Sequence, residues 1–173
     1  MTTRTDATAM IRRNTTRFFD TFVGMPESQW SYRPRPGTWS VSEVVEHVTI
    51  SHRGVFKRLS AGLTTPLAEP SGVADDEIPY LFYVGDEPPN VSTPTGTWGD
   101  IGQAAAAFAA SAVGLTDWAD ATNLDLRAHG AAHPIFGRMD AMQWLLFAGA
   151  HSERHRMQLV GYRARPDFPA GEA

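Results

Sequence analysis

Two histidines, His151 and His155, interrupt an apolar run at residues 144–160, WLLFAGAHSERHRMQLV. Residues four apart differ by about 40° around a helix axis and by one turn along it, so two imidazoles at this spacing converge on one point. That is a chelating arrangement. Neutral imidazole donors suit zinc, nickel, copper, iron or cobalt far better than magnesium or calcium. Two donors are too few, because catalytic zinc and similar ions take three protein ligands and leave a position for water or substrate. A third is available in VSEVVEHVTISH (41–52), where His47 stands three residues after Val44 and four before Ser51, on the edge of an apolar stripe. His52 lies about 140° further round the same helix. The expected metal ligands are therefore His47, His151 and His155, contributed by two facing helices. The competing reading is a set of hydrogen-bonded core histidines, since a buried imidazole needs a partner in either case.

Other polar groups are weaker candidates. HSERH has the glutamate in the wrong place for the zinc-protease motif: Glu153 lies about 200° from His151 and is expected in solvent, not as a general base. His129 and His133, in AHGAAHP, are expected to be exposed, with His133 the natural fourth ligand if the shell were closed and structural. Glu43 and Glu46 are expected at the surface, with outer-shell contact to the metal as the alternative. Tyr83, Trp98 and Arg138 are candidates for a pocket wall, and Asp75, Asp76 and Glu77 read as a solvated charge run.

Four helical segments must position these residues. The first runs from Thr5 to Gly24, with Ile11, Phe18, Phe19 and Phe22 on one face and Pro26 beyond its end. Residues 26–39, containing RPRPG, are expected to be irregular. Ser40 with Glu43 forms a capping-box signature that opens a second helix lasting to about Leu59, with Val41, Val44, Val48, Ser51 and Val55 inward. The proline-rich 62–97 segment is a long connection. A third, alanine-rich helix starts near Thr97 or Gly99 and carries Ile101, Ala104, Phe108, Ala112 and Leu115. After an irregular 122–138, Asp140 with Gln143 caps a fourth helix that reaches about Arg163, with Trp144, Ala148, His151, His155, Leu159 and Tyr162 on its core stripe. With no alternating strand pattern, the expectation is an all-α four-helix bundle, one domain over 1–173, with long connections between helices two and three and between helices three and four.

Composition narrows the function. The chain has 173 residues, 42% hydrophobic and 20% charged, with a formal net charge of -4, and so lacks the basic stripe of a nucleic-acid binder. Its longest apolar stretch, 141–150, is roughly half of what a membrane span needs. MTTRTDATAM has no apolar h-region, so the cytoplasm is the expected compartment. Cysteine is absent, which excludes disulfides, a thiolate nucleophile and cysteine-ligated zinc. The aromatic stretch YLFY at 80–83 would suit a homodimer interface.

Taken together, GTWSVSEVVEHV (37–48) and HPIFGRMDAMQWLLFAGAHSERHRMQL (133–159) resemble the DinB-like (YfiT-like) superfamily of bacterial metalloproteins. The resemblance implies a four-helix bundle, with His47 as the first ligand and His151 and His155 as the pair on the last helix. Trp39 and Ser40 match the W-S that opens that family's second helix. It further implies a divalent transition metal, zinc or nickel foremost, and a small-molecule substrate. Relatives include bacillithiol- and mycothiol-dependent S-transferases and a mycothiol-dependent maleylpyruvate isomerase. Two functional expectations follow: a metal-dependent enzyme that activates a low-molecular-weight thiol (transferase) or a water (hydrolase), or a non-catalytic metal or small-molecule binding protein with a stress-related role.

Overall fold

Side-chain caps start the long helices. In the computed structural model, which describes residues 2–61, 72–78, 92–134 and 136–171, α1 spans Arg4–Phe22 and opens on a reciprocal capping box between Thr3 and Asp6. The Ser40–Glu43 box opens α3 (Val41–Ser60), Asp100 caps α4 (Ile101–Ala121), and the Asp140–Gln143 box opens α5 (Ala141–Arg163). Each satisfies amide groups that a helix start leaves without an intrahelical acceptor.

Two short elements depart from the expected irregular connections. Residues Glu27–Trp30 form a single helical turn, α2. Its anchor is tertiary: Trp30 is buried against Phe22 at a ring separation of 6.0 Å. Residues Gly130–His133 (β1) and Gly137–Asp140 (β2) pair antiparallel, with His133 opposite Gly137 and Gly130 opposite Asp140. Gly137 sits at φ 71°, a backbone conformation that glycine adopts without penalty. Four residues per strand are too few for an alternating pattern to stand out, and the hairpin holds because its end runs directly into the α5 cap.

The fold is otherwise the expected all-α bundle. Helix α1 packs against α5 and α4, and α3 packs against α4 and α5, which closes a ring in the order α1, α5, α3, α4. The two histidine-bearing helices are therefore neighbours. The α1–α5 seam is close at Gly149, where a Cβ would come within 2.9 Å of the Met10 methyl and 3.3 Å of the Ile11 amide nitrogen. Asn14 Nδ2 donates to the Gly149 carbonyl at 3.1 Å across that seam.

The core has two apolar clusters. One gathers Ile11, Leu115, Met139 and Leu145, and the other Phe18, Phe22, Val44, Val48, Phe108 and Leu159. Every member of the expected α5 stripe, from Trp144 to Tyr162, is buried. In the acidic stretch, Asp75 differs from expectation. It accepts both guanidinium nitrogens of Arg127, which also reaches Asp140 at 3.0 Å, so this carboxylate ties the 72–78 segment to the start of α5. The cation beside it holds the Asp75 carboxyl below its ordinary pKa. The YLFY stretch and Tyr83 fall outside the described residues.

Candidate metal centre

Neighbouring helices with inward imidazoles give a focal point. His47 comes from the middle of α3, and His151 and His155 from consecutive turns of α5; all three are buried. The Nε2 atoms of His47 and His151 lie 3.1 Å apart, as do those of His155 and His151. One nitrogen from each ring lies within 4.8 Å of the other two. Metal–nitrogen bonds of about 2.0–2.1 Å separate two donors on a tetrahedral ion by about 3.3 Å, close to the spacing seen.

Hydrogen bonds decide which nitrogens are bare. His47 Nδ1 lies 2.8 Å from the Ser92 carbonyl oxygen, which can only accept, so Nδ1 carries the proton and Nε2 its lone pair. His155 Nδ1 lies 2.7 Å from Gln158 Oε1 and is likewise the donor. Burial is the largest cause depressing all three histidines: His47 is lowered to about 4, and His151 and His155 fall well below the ordinary value, with their neighbours' charges adding to the effect. All three rings are therefore neutral at neutral pH. A single proton on His151 Nε2 could bridge to only one of the two facing nitrogens. A cation shared by all three satisfies every lone pair, so this donor set fits a divalent transition metal.

The walls are aromatic. Phe147 lies nearly parallel to His151, at 5.3 Å and 16°, and Trp39 tilts over His47 at 4.4 Å. The loop after residue 91 closes another side through adjacent residues of α3. While His47 donates to Ser92, the Glu46 carboxylate accepts from the Thr95 amide and hydroxyl at 3.0 and 2.6 Å and from the Gly96 amide at 2.9 Å. Glu46 was expected at the surface and is instead only 4% exposed. These hydrogen bonds hold its pKa below the ordinary value against the opposing effect of burial. Ser92 takes a left-handed backbone, φ 58°, to present its carbonyl. Glu43 remains at the helix start, bound to Ser40 and ion-paired with Arg33.

The other candidates are placed elsewhere. Glu153 points away as expected, and it pairs with Arg156 and Arg17. His52 is fully buried between α3, α4 and α5, with its ring nitrogens 3.3 Å from Ser111 Oγ and 3.0 Å from Ser152 Oγ. His133 is buried, not exposed: it stacks on Phe136 at 4.5 Å, meets Phe147 at 4.7 Å, and takes the Phe136 amide on Nδ1. It is not among the clustered donors, so the closed four-ligand shell does not form among the described residues. His129 is half-buried, not exposed, and bonded to the Asp125 carbonyl. Trp98 lies under the Arg53 guanidinium at 5.6 Å, and Arg138 is exposed on the hairpin. Sequence reading missed Ser92, Gln158 and the wall formed by Trp39. Gln158 carried a signal in its i+3 spacing from His155 and Trp39 in its W-S match, whereas Ser92 carried none.

The family model of the DinB superfamily matches residues 10–159. The chain belongs to the DinB superfamily. No curated protein matches it. This DinB protein keeps its three buried histidines inside the matched span, and no helix among its described residues is long and apolar enough to cross a membrane.

The buried histidines make the metal-free DinB protein acid-sensitive. His52 and His133 are both lowered to about 4 by burial, whereas their unfolded-state values lie near 6.5. The unfolded chain therefore binds more protons between these limits. Stability is full above about pH 6.5 and falls as pH drops toward 4, by up to about 1.4 kcal/mol per pH unit for each such histidine. Urea midpoints of chelator-treated protein between pH 7.5 and 4.5 should show that fall. A flat profile would contradict the buried neutral state.

Proposed function

We propose that this protein is a metal-dependent enzyme in which His47, His151 and His155 hold one divalent transition ion, zinc or nickel, that activates a small external nucleophile. The observation that carries the proposal is the convergence of three neutral Nε2 atoms, two of them kept bare by hydrogen bonds at Nδ1. Three protein donors leave coordination open, the arrangement typical of catalytic rather than structural sites. Bound there, such an ion would lower the pKa of a thiol or water enough to supply its anion at neutral pH.

The chain's own residues do the rest. Ser92 and Gln158 keep the His47 and His155 protons on the outer nitrogens. Phe147 and Trp39 present apolar walls that limit water beside the donors. With no cysteine in the chain, a thiol nucleophile must arrive as a cosubstrate, and the superfamily likeness favours mycothiol or bacillithiol. Thiol transfer is therefore preferred, with hydrolysis second.

The test is a screen of metal-loaded protein with mycothiol, bacillithiol and glutathione against model electrophiles, and with activated esters and amides. Turnover that chelator abolishes and zinc or nickel restores is expected. Full metal loading with no turnover of any of these would leave a binding protein and overturn the enzymatic reading.

A further inference from the structure

A glutamine amide can face either way, and its direction at Gln158 decides whether His155 can bind a metal. Gln158 Oε1 lies 2.7 Å from His155 Nδ1, Gln158 Nε2 lies 2.8 Å from the Tyr162 hydroxyl, and that hydroxyl lies 3.0 Å from the Trp39 carbonyl oxygen. The last contact sets the direction of all the others. A carbonyl has no proton to give, so the Tyr162 hydroxyl must donate to Trp39. Having spent its only proton, the hydroxyl accepts from Gln158 Nε2, which turns Oε1 toward His155. His155 Nδ1 must then hold the proton, and Nε2 is left bare toward His47 and His151.

Reversal would disable the site. With the amide turned over, its NH2 group would meet Nδ1, the imidazole proton would move to Nε2, and the nitrogen facing the cluster would no longer be a ligand. Tyr162 would at the same time be drawn off the Trp39 carbonyl. That carbonyl is itself fixed: Trp39 directly precedes Ser40, the cap of α3, and the Val41 amide is tied to the Tyr32 carbonyl at 3.1 Å. The start of α3 thus sets the proton position of a ring on α5. The same Trp39 covers His47 with its indole.

We infer that Gln158 and Tyr162 are positioning residues that hold His155 in its ligand tautomer, through a one-way hydrogen-bond chain ending on the Trp39 carbonyl. The inference rests on the metal-site reading above, and its test separates the two. Zinc affinity is measured by chelator competition for the full-length wild type and for Gln158→Leu, Gln158→Glu and Tyr162→Phe, together with histidine 15N shifts of the metal-free proteins.

Gln158→Leu removes the acceptor and should weaken zinc binding about 10- to 100-fold, the range for outer-shell partners of a ligand histidine. Tyr162→Phe leaves the amide free to turn and should cost roughly 3- to 10-fold, the scale of one hydrogen bond. Gln158→Glu cannot be reversed, because a carboxylate only accepts, and should bind zinc at least as tightly as wild type. In the 15N spectra His155 should be Nδ1-protonated in wild type and Gln158→Glu, and mixed in the other two. Wild-type affinity in both Gln158→Leu and Tyr162→Phe, or an Nε2-protonated His155 in the metal-free wild type, would overturn the inference. If Gln158→Leu does not fold, Tyr162→Phe and the wild-type tautomer decide it. If wild type binds no zinc, the metal reading fails, and the spectra still test the chain.

Discussion

His155→Ala is expected to carry less than about a tenth of the metal held by the wild type, which should contain about one ion per chain, because two remaining imidazoles fall short of the three donors a stable site takes. His47→Ala and His151→Ala should behave alike. The loss is separable from misfolding. In chelator, the three variants should unfold within a few degrees of the metal-free wild type, since removing one of three crowded ring nitrogens costs packing but relieves a contact that a single bridging proton leaves unsatisfied on one side. In zinc at about 100-fold over its dissociation constant, wild type should gain about 2.7 kcal/mol while the variants gain almost nothing. Elemental mass spectrometry on untagged protein and thermal melts with and without zinc read both effects. A wild type that is metal-free and refuses zinc and nickel would make these histidines hydrogen-bonded core residues and remove the centre from the proposed enzyme.

Phe108→Ala should lower stability by about 3–5 kcal/mol, the usual cost of emptying a large buried aromatic site. Phe108 is 1% exposed and meets Phe18 and Phe22 edge-on at 5.1 and 5.8 Å, which makes it the point where α4 grips α1. It also packs against the His52 ring at 5.6 Å, so the hole would open beside the polar pin that joins α3 to α5. Urea denaturation should show a midpoint shift with little change in slope. Because the histidine-bearing helices α3 and α5 touch each other directly, zinc binding should survive the substitution well below the new melting temperature. A loss under about 1 kcal/mol would mean that α4 collapses into the space, and that this cluster is looser than its edge-to-face geometry shows.

The histidine cluster was legible because it obeys local rules. A four-residue spacing on one helix, and a histidine beside the valine stripe of another, fix the faces those side chains occupy whatever the rest of the chain does. The capping boxes at Ser40 and Asp140 were legible for the same reason, as both are satisfied within four residues. Glu46 was misjudged by that logic. A single-stripe reading leaves it in solvent, but the 92–97 loop folds over it and supplies the amide and hydroxyl donors that its carboxylate accepts. His133 was misjudged because a hairpin, not a free loop, folds it onto Phe147.

The sequence by itself determined the four long helices, the faces they bury and the three imidazoles that meet. Only the tertiary structure decided that Glu46 straps the 92–97 loop over the site, and which nitrogen of His47 and of His155 is bare. The reason lies in the partners. Ser92 and Trp39 act through backbone carbonyls, which every residue possesses, so no side-chain pattern marks them out. They become the acceptors that set His47 and His155 only when packing brings them within hydrogen-bond distance.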